Sequence, residues 1–394
     1  MTAGVLTQGG ARAAAGRGSA RKAPRAEQIV TELFAEADIE VGGVRPCDIR
    51  VNNPKFYQRV LADGTLGFGE AYMEGWWDCD DLEELCYRAI RSRIHTRFRP
   101  NFRALVEISL SLLLNLQTRT RARVVGRRHY DLGNDFFGVM LDPAMQYSCA
   151  YFHNTTDLAT AQELKMELVC RKLGLTPGMR VLDIGCGWGG LARHMAANHG
   201  CEVVGITISK EQKRHAEAVC AGLPVEIRMQ DYRDVEGKFD RISCVGMFEH
   251  VGPKNHRAFM QAAGGLLGGD GLFLLHTITA NEASRVCDRW ISKYIFANSA
   301  LPTASRVLQA AEGLFVVEDL HNLGQYYVPT LRAWEAGFMR SYADFRAQFG
   351  EEFVRMWRLY LLSCAGAFRA RSLQVFQFLL SPHGVEGAEP LRIQ

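Results

Sequence analysis

The ten residues Val181-Leu-Asp-Ile-Gly-Cys-Gly-Trp-Gly-Gly190 constrain this chain more than any other stretch. A short apolar run breaks into glycines and then into the helical pattern Leu191-Ala-Arg-His-Met195, which predicts a strand, a tight turn and a helix N-terminus. Gly185 and Gly187 lack the Cβ that would keep a ligand off the backbone, and a helix start offers unpaired N–H groups carrying partial positive charge. The spacing is Gly-x-Gly-x-Gly-Gly and not the Gly-x-Gly-x-x-Gly of dinucleotide binders, and Asp183 sits on the strand where it can meet an amino-acid ammonium. This favours S-adenosylmethionine over a nicotinamide dinucleotide. Taken alone, such a turn is equally compatible with a tight connection that binds nothing.

The chain has 394 residues, 47% of them apolar and 23% charged, enough for two domains with ample cores. Its longest apolar run, around Ile108 to Leu116, falls well short of the ~20 residues that a bilayer requires, and no apolar-cored signal peptide follows Met1. A cytoplasmic protein is expected. Eleven scattered cysteines with no Cys-x-x-Cys pair read as reduced thiols, most of them small core residues, and not as a zinc or disulfide frame. The net charge of +3 hides two basic stretches. Residues 1–27 carry five arginines and lysines among Ala and Gly and read as a disordered tail. The second runs from Arg91 to Arg128 with Glu107 as its only acid and flanks the apolar run. It reads either as an amphipathic segment resting on an anionic membrane surface or as a linker helix dressed with solvated arginines. No nucleic-acid motif accompanies the charge.

Four segments are expected: the tail (1–27), a small α+β domain (28–100), a basic helical linker (101–128) and a catalytic domain (129–394). In the small domain, Gly69-Glu-Ala-Tyr-Met-Glu-Gly-Trp-Trp-Asp78 reads as a core anchor or domain contact. From Met179 onward, strand patterns at 180–184, 202–207, 225–230, 239–245 and 271–276 alternate with helical ones. That alternation predicts an α/β fold with a parallel sheet covered on both faces, whose ligands bind outside the carboxyl ends of the strands. Residues 281–394 read as mostly helical and rich in aromatics, a lid over those ends.

Two polar residues stand at strand ends. Glu249, in Gly246-Met-Phe-Glu-His-Val251, and His276, after Leu272-Phe-Leu-Leu275, each follow an apolar strand, where an unpaired polar group is costly. His276 is equally readable as a satisfied core histidine. Tyr327 reads by default as a packing aromatic. Cys149 and Cys364 are candidate thiols without a charge partner close in sequence to activate them.

The chain resembles the cyclopropane-fatty-acyl-phospholipid synthase family. The resemblance rests on His129-Tyr-Asp-Leu-Gly-Asn-Asp-Phe136, Met145-Gln-Tyr-Ser-Cys-Ala-Tyr151, Val181 to Gly190, Thr207-Ile-Ser-Lys-Glu-Gln212, Met247-Phe-Glu-His-Val-Gly-Pro-Lys254, Leu275-His-Thr-Ile278, Tyr327 and Cys364-Ala-Gly-Ala-Phe-Arg-Ala-Arg371, and it spans about Cys47 to Phe376. It implies a Rossmann-like methyltransferase domain with a mostly parallel seven-stranded sheet beside the small N-terminal domain. It also implies that S-adenosylmethionine is surrounded by Tyr147, Ser148, Val181, Asp183, Gly185, Cys186, Gly187, Trp188, Gly189, Thr207, Ser209, Gln212, Asp231 and Tyr232. Asp231 would accept from the adenine amino group and Tyr232 would cover the ring. The second strand ends Gly205-Ile-Thr-Ile-Ser209, without the acid that grips ribose hydroxyls in most methyltransferases, and the family shares this form.

The implied reaction adds the methyl carbon to a cis olefin of a phospholipid acyl chain. The carbocation formed is deprotonated by bound bicarbonate and closes to a cyclopropane. The bicarbonate is implied to be held by Glu249, His276 and Tyr327 with the backbone at Cys149 and Ile278, and Cys364 matches a cysteine long suspected in the family. A dry cavity is required, with aromatic faces such as Tyr147, Phe248 or Tyr294 beside the cation. The resemblance further implies a homodimer, peripherally attached to the inner face of the membrane, and no metal. A related methyltransferase that leaves a methyl branch or acts on an amine is the alternative.

Overall fold

The computed structural model describes residues 24–97, 133–282, 288–296 and 300–385. The expected linker, residues 129–132 of the His129 motif and nearly all of the basic tail lie outside these residues, whereas Arg91, Arg93 and Arg97 of the second basic stretch lie within them.

Near the N-terminus, α1 (Arg25–Ala35), α2 (Lys55–Asp63), α3 (Thr65–Met73) and α4 (Leu82–Arg91) surround a two-stranded antiparallel ribbon of β1 (Arg50–Val51) and β2 (Trp77–Asp78). Helix α1 starts inside the stretch read as tail. Asp81 caps α4 by accepting from the Glu84 backbone N–H at 2.9 Å, while Leu82, Leu85 and Cys86 turn one face inward. Trp77 is fully buried and donates its indole N–H to the Phe68 carbonyl at 2.9 Å, as a core anchor should.

Next come α5 (Asn134–Met140), α6 (Leu158–Lys172), β3 (Arg180–Ile184), α7 (Gly190–His199), β4 (Glu202–Thr207), α8 (Lys210–Val219), β5 (Val225–Met229), β6 (Phe239–Val245), α9 (His256–Leu266) and β7 (Leu267–Ala280). These are followed by α10 (Arg289–Tyr294), α11 (Ala304–Ala311), β8 (Val316–Asn322), α12 (Tyr327–Arg340), α13 (Tyr342–Phe349), α14 (Glu351–Arg369) and β9 (Leu373–Ser381). The seven-stranded sheet has the order β5-β4-β3-β6-β7-β9-β8. Its first five strands are parallel, and β9 pairs antiparallel with both β7 and β8. The described part of residues 281–394 is mostly helical, as read, but also supplies strands β8 and β9, and β7 runs well past the expected 271–276.

Chain order reverses between β3 and β6, so the crevice at their carboxyl ends is the place where such a sheet admits a ligand. The C-terminal helices do more than lid it. One continuous core joins Phe34, Phe56 and Leu85 of the N-terminal helices and Trp77 of β2 to Trp334, Trp357 and Phe368 of α12 and α14. Gly366 makes the contact possible, because a Cβ there would stand 2.8 Å from the Tyr87 backbone nitrogen. Arg332 and Arg369 on one side and Glu83 on the other clamp the same seam.

Candidate active site

Strand β3 runs into Gly185 and Gly187, whose φ angles of 83° and 55° lie in the left-handed region where glycine has no steric penalty. At Gly185 a side chain would also meet Met247 at 2.9 Å, while at Gly187 it would project into open space. The turn borders a cavity of about 220 Å³. Tyr147, Ser148, Asp183, Gly185, Cys186, Gly187, Trp188, Thr207, Ser209, Gln212, Asp231 and Tyr232 all line it. Val181 and Gly189 do not. Val181 is buried in the core at the start of β3, and Gly189, at φ 87°, caps α7 and packs against Ala216.

Asp183 is the polar centre of this cavity. Ser243 Oγ donates to its Oδ1 at 2.7 Å, whereas Oδ2 is buried and has no partner among the described residues. Burial raises its pKa to about 6, with Ser243 and the Lys165 charge acting against the shift. A buried carboxylate oxygen without a donor fits the α-ammonium of S-adenosylmethionine. Thr207 Oγ1 donates to Gln212 Oε1 at 2.9 Å, and Ser209 caps α8 by accepting from the Gln212 N–H at 3.3 Å. These bonds hold three polar groups at the rim. Asp231 also stands at the cavity, where Arg233 engages both its oxygens at 2.7 and 2.6 Å and lies over the Tyr232 ring at 5.2 Å.

The loop carrying Tyr147 and Ser148 is held from behind by residues that sequence reading missed. Lys165 of α6 is fully buried, its ammonium bonded to Gln146 Oε1 and, at 3.0 Å, to Ser148 Oγ. Gln162, one turn earlier, donates to the Ser148 carbonyl at 2.9 Å, and Asp142 accepts from the Ala144 and Gln146 N–H groups at 2.8 and 2.9 Å. Burial lowers the pKa of Lys165 to about 8. Lys165 and Gln162 are polar residues three apart in a helix, a spacing that looks solvent-facing in sequence and gave no signal.

A second cavity of about 560 Å³ opens between the N-terminal helices, α12 and α14, lined mainly by apolar side chains such as Phe34, Phe68, Leu85, Ile94, Leu331 and Phe368. It shares Tyr147, Ser148, Gly246 and His250 with the first cavity, so the two abut. At the junction the structure brings together Glu249, His276 and Tyr327 from three elements: the turn after β6, strand β7 and the start of α12. Glu249 Oε1 accepts from the Ile278 backbone N–H at 2.7 Å, and buried Oε2 has no partner among the described residues. Burial raises the pKa of Glu249 to about 7 and lowers that of His276 to about 3, leaving the imidazole neutral. Burial also pushes the Tyr327 phenol well above its ordinary value. Both groups therefore remain proton donors at neutral pH.

Other expected positions fall out differently. The Ile278 N–H, expected to face the anion, is taken by Glu249. The Cys149 thiol is buried away from the cavity, pointing toward the Leu323 carbonyl at 3.7 Å, and burial raises its pKa. Cys364 does line the apolar cavity. Phe248 is not beside it: the ring stacks on His256, centroids 4.4 Å apart, in the core behind β6. Tyr294 points its hydroxyl at Glu70 Oε1, 3.0 Å away. Tyr147 alone of the three aromatics lies where both cavities meet. Gln377, unremarked in the sequence, is fully buried on β9 opposite His276 in the ladder, with Nε2 3.3 Å from His276 Nδ1.

Residues 117–378 match the family model described as mycolic acid cyclopropane synthetase. The chain is 48% identical over 359 residues, 91% of its own length and 94% of the relative's, to the cyclopropane-fatty-acyl-phospholipid synthase of Escherichia coli. It belongs to the cyclopropane synthase family. Cyclopropane mycolic acid synthase 1 of Mycobacterium tuberculosis is 35% identical over 64% of this chain and 94% of the relative. Among solved structures, the mycolic acid cyclopropane synthase CmaA1 complexed with SAH and CTAB superposes with a TM-score of 0.62, covering 66% of this chain and 97% of that one at 34% identity. Coclaurine N-methyltransferase, 23% identical with a TM-score of 0.66 over 80% of this chain, shares the fold. The chain is thus an S-adenosylmethionine-dependent methyltransferase of the cyclopropane synthase family. No helix among the described residues is long and apolar enough to cross a membrane.

Proposed function

We propose that this enzyme converts the cis double bond of unsaturated phospholipid acyl chains into a cyclopropane, with bicarbonate as the base. The observation that carries the reading is the convergence of Glu249, His276 and Tyr327 on an apolar cavity that abuts the glycine-turn cavity through Tyr147, Ser148, Gly246 and His250. Bound S-adenosylmethionine supplies an electrophilic methyl carbon to the olefin, and loss of a proton from that carbon closes the ring.

The residues suit what remains. Apolar side chains exclude the water that would trap a carbocation, and the Tyr147 ring offers a π face at the junction. A carbonate-type anion in such a site needs donors. Tyr327 donates its phenolic proton, and neutral His276 donates from Nε2 when Nδ1 accepts from Gln377. Glu249, protonated below about pH 7, donates from the oxygen that has no partner among the described residues. The Ile278 N–H orients that carboxyl by holding its other oxygen. Glu249, His276 and Tyr327 thus offer donors to this cavity, which suits a small oxyanion better than an amine, which would need acceptors.

The basic segment from Arg91 to Arg128 supports attachment to an anionic phospholipid surface. Incubation with unsaturated phospholipid vesicles and methyl-labelled S-adenosylmethionine, followed by fatty acid analysis, tests the reading. The expected product is 14 mass units heavier and has lost its double bond. A methylene- or methyl-branched chain, or labelling of an amine alone, rejects it.

A further inference from the structure

Behind the sheet, away from both cavities, α6 and α7 bring a second set of chemistry-bearing side chains together. Glu167 and Cys170 stand one turn apart on α6, and His194 and His199 face them from α7. One donor atom from each of Cys170, His194 and His199 lies within 4.8 Å of the other two. Glu167 Oε2 lies 3.3 Å from His194 Nε2 and 3.0 Å from His199 Nε2.

We propose that Glu167, Cys170, His194 and His199 form a four-ligand site for a divalent ion of the zinc class. The donor set is that of such ions: a thiolate, two imidazoles and a carboxylate, on a scaffold of two packed helices. A tetrahedral ion with ligand bonds of about 2.0–2.3 Å spaces its donors roughly 3.3–3.7 Å apart. The two carboxylate–imidazole distances are already close to that edge, and the donors of Cys170, His194 and His199, within 4.8 Å of one another, draw closer when the ion binds. The charge balances. On binding, the Cys170 thiol releases its proton to solvent and forms a sulfur–metal bond, while the imidazoles bind neutral. One thiolate and one carboxylate then cancel the two charges of the ion, which suits a site with a buried thiol and half-buried imidazoles. The Asn198 side-chain amide lies 3.0 Å from His194 Nδ1; with Nε2 on the ion that nitrogen carries the ring proton, and the amide orients the ring by turning its oxygen to it. Glu167, with its side chain 39% exposed, leaves a path from solvent.

The site would tie α6, whose Lys165 and Gln162 hold the Tyr147–Ser148 loop, to α7, which begins at the glycine turn. An ion there would brace both walls of the cofactor cavity without touching the reaction.

Cobalt(II) titration of the full-length reduced chain tests the proposal, because four-coordinate cobalt bound to a thiolate shows intense visible bands and a near-ultraviolet sulfur charge-transfer band. Both are expected at one cobalt per chain and are expected to vanish on addition of one equivalent of zinc. Cys170→Ala should remove the charge-transfer band, and His194→Asn with His199→Asn should weaken cobalt binding at least tenfold, each variant still binding S-adenosylmethionine. Weak octahedral-type spectra from the unaltered chain, or bands that persist in Cys170→Ala because another of the 11 cysteines supplies the sulfur, overturn it.

Discussion

Gln377 Nε2 and His276 Nδ1 face each other at 3.3 Å across the antiparallel β7–β9 ladder, both side chains buried. A neutral imidazole carries one proton, and an amide donor on Nδ1 places that proton on Nε2, the nitrogen free to serve the cavity. The Gln377 amide thus chooses the tautomer. Replacing Gln377 by Leu should cut ring formation roughly five- to tenfold, the worth of one hydrogen bond of about 1 kcal/mol, with the affinity for S-adenosylmethionine unchanged. Nitrogen-15 shifts of His276 should report a mixture of tautomers in the variant; a single unaltered tautomer contradicts the assignment.

Glu249→Gln keeps the shape and the bond from Ile278 but replaces the acidic proton, which a carboxyl can share with a bound oxyanion, by amide hydrogens that cannot be transferred. Turnover should fall by about 10²–10³, within the usual range for lost acid–base assistance, with cofactor affinity retained. The unaltered enzyme should also lose activity as pH rises. Burial puts the folded-state pKa of Glu249 above its ordinary value, at about 7, so the neutral acid persists to that pH and a carboxylate facing a second anion appears above it. An alkaline limb near pH 7 in turnover at saturating bicarbonate, absent in Glu249→Gln, is the expected profile.

Asp183→Asn should weaken S-adenosylmethionine binding at least tenfold, measured by calorimetry, because the carboxylate whose Oδ2 has no partner among the described residues loses its charge. The sign of the pH effect is opposite to that of Glu249. Protonation of Asp183 below about pH 6 removes the anion that an ammonium needs, so affinity should fall toward acid pH in the unaltered chain and be flat in the variant.

Gly366→Ala should lower thermal stability, by about 1–3 kcal/mol, because its Cβ would stand 2.8 Å from the backbone of Tyr87 and 2.9 Å from Cys86 Cβ. The same push opens the seam between α4 and α14 that encloses the apolar cavity, so turnover on long acyl chains should drop with it. An unchanged melting temperature would show that this seam is loose.

Charge-neutral replacement of four arginines between Arg91 and Arg128 should reduce sedimentation with anionic vesicles, the loss being greatest at low salt. Equal sedimentation of both chains at every salt concentration would reduce the segment to a linker.

Local pattern determined the sheet's first five strands, the glycine turn after β3 and the caps at Asp81 and Ser209, because each depends on neighbours within a few residues. The motif at Glu249, just past β6, and the apolar run before His276 were legible for the same reason, although His276 lies inside β7 and not at its end. Pairing in space was not. Strands β8 and β9 sit within a helix-rich stretch and become strands only by adding to the edge at β7, a contact with residues about 100 positions away. Gln377 opposite His276, Lys165 beneath Ser148, Arg233 on Asp231 and the removal of Phe248 into the core behind β6 followed from that folding. The tertiary structure also decided that the N-terminal helices and α14 share one core. The physical reason is the same in each case: a polar side chain acquires its role from the partner that burial forces on it, and that partner lies on another element.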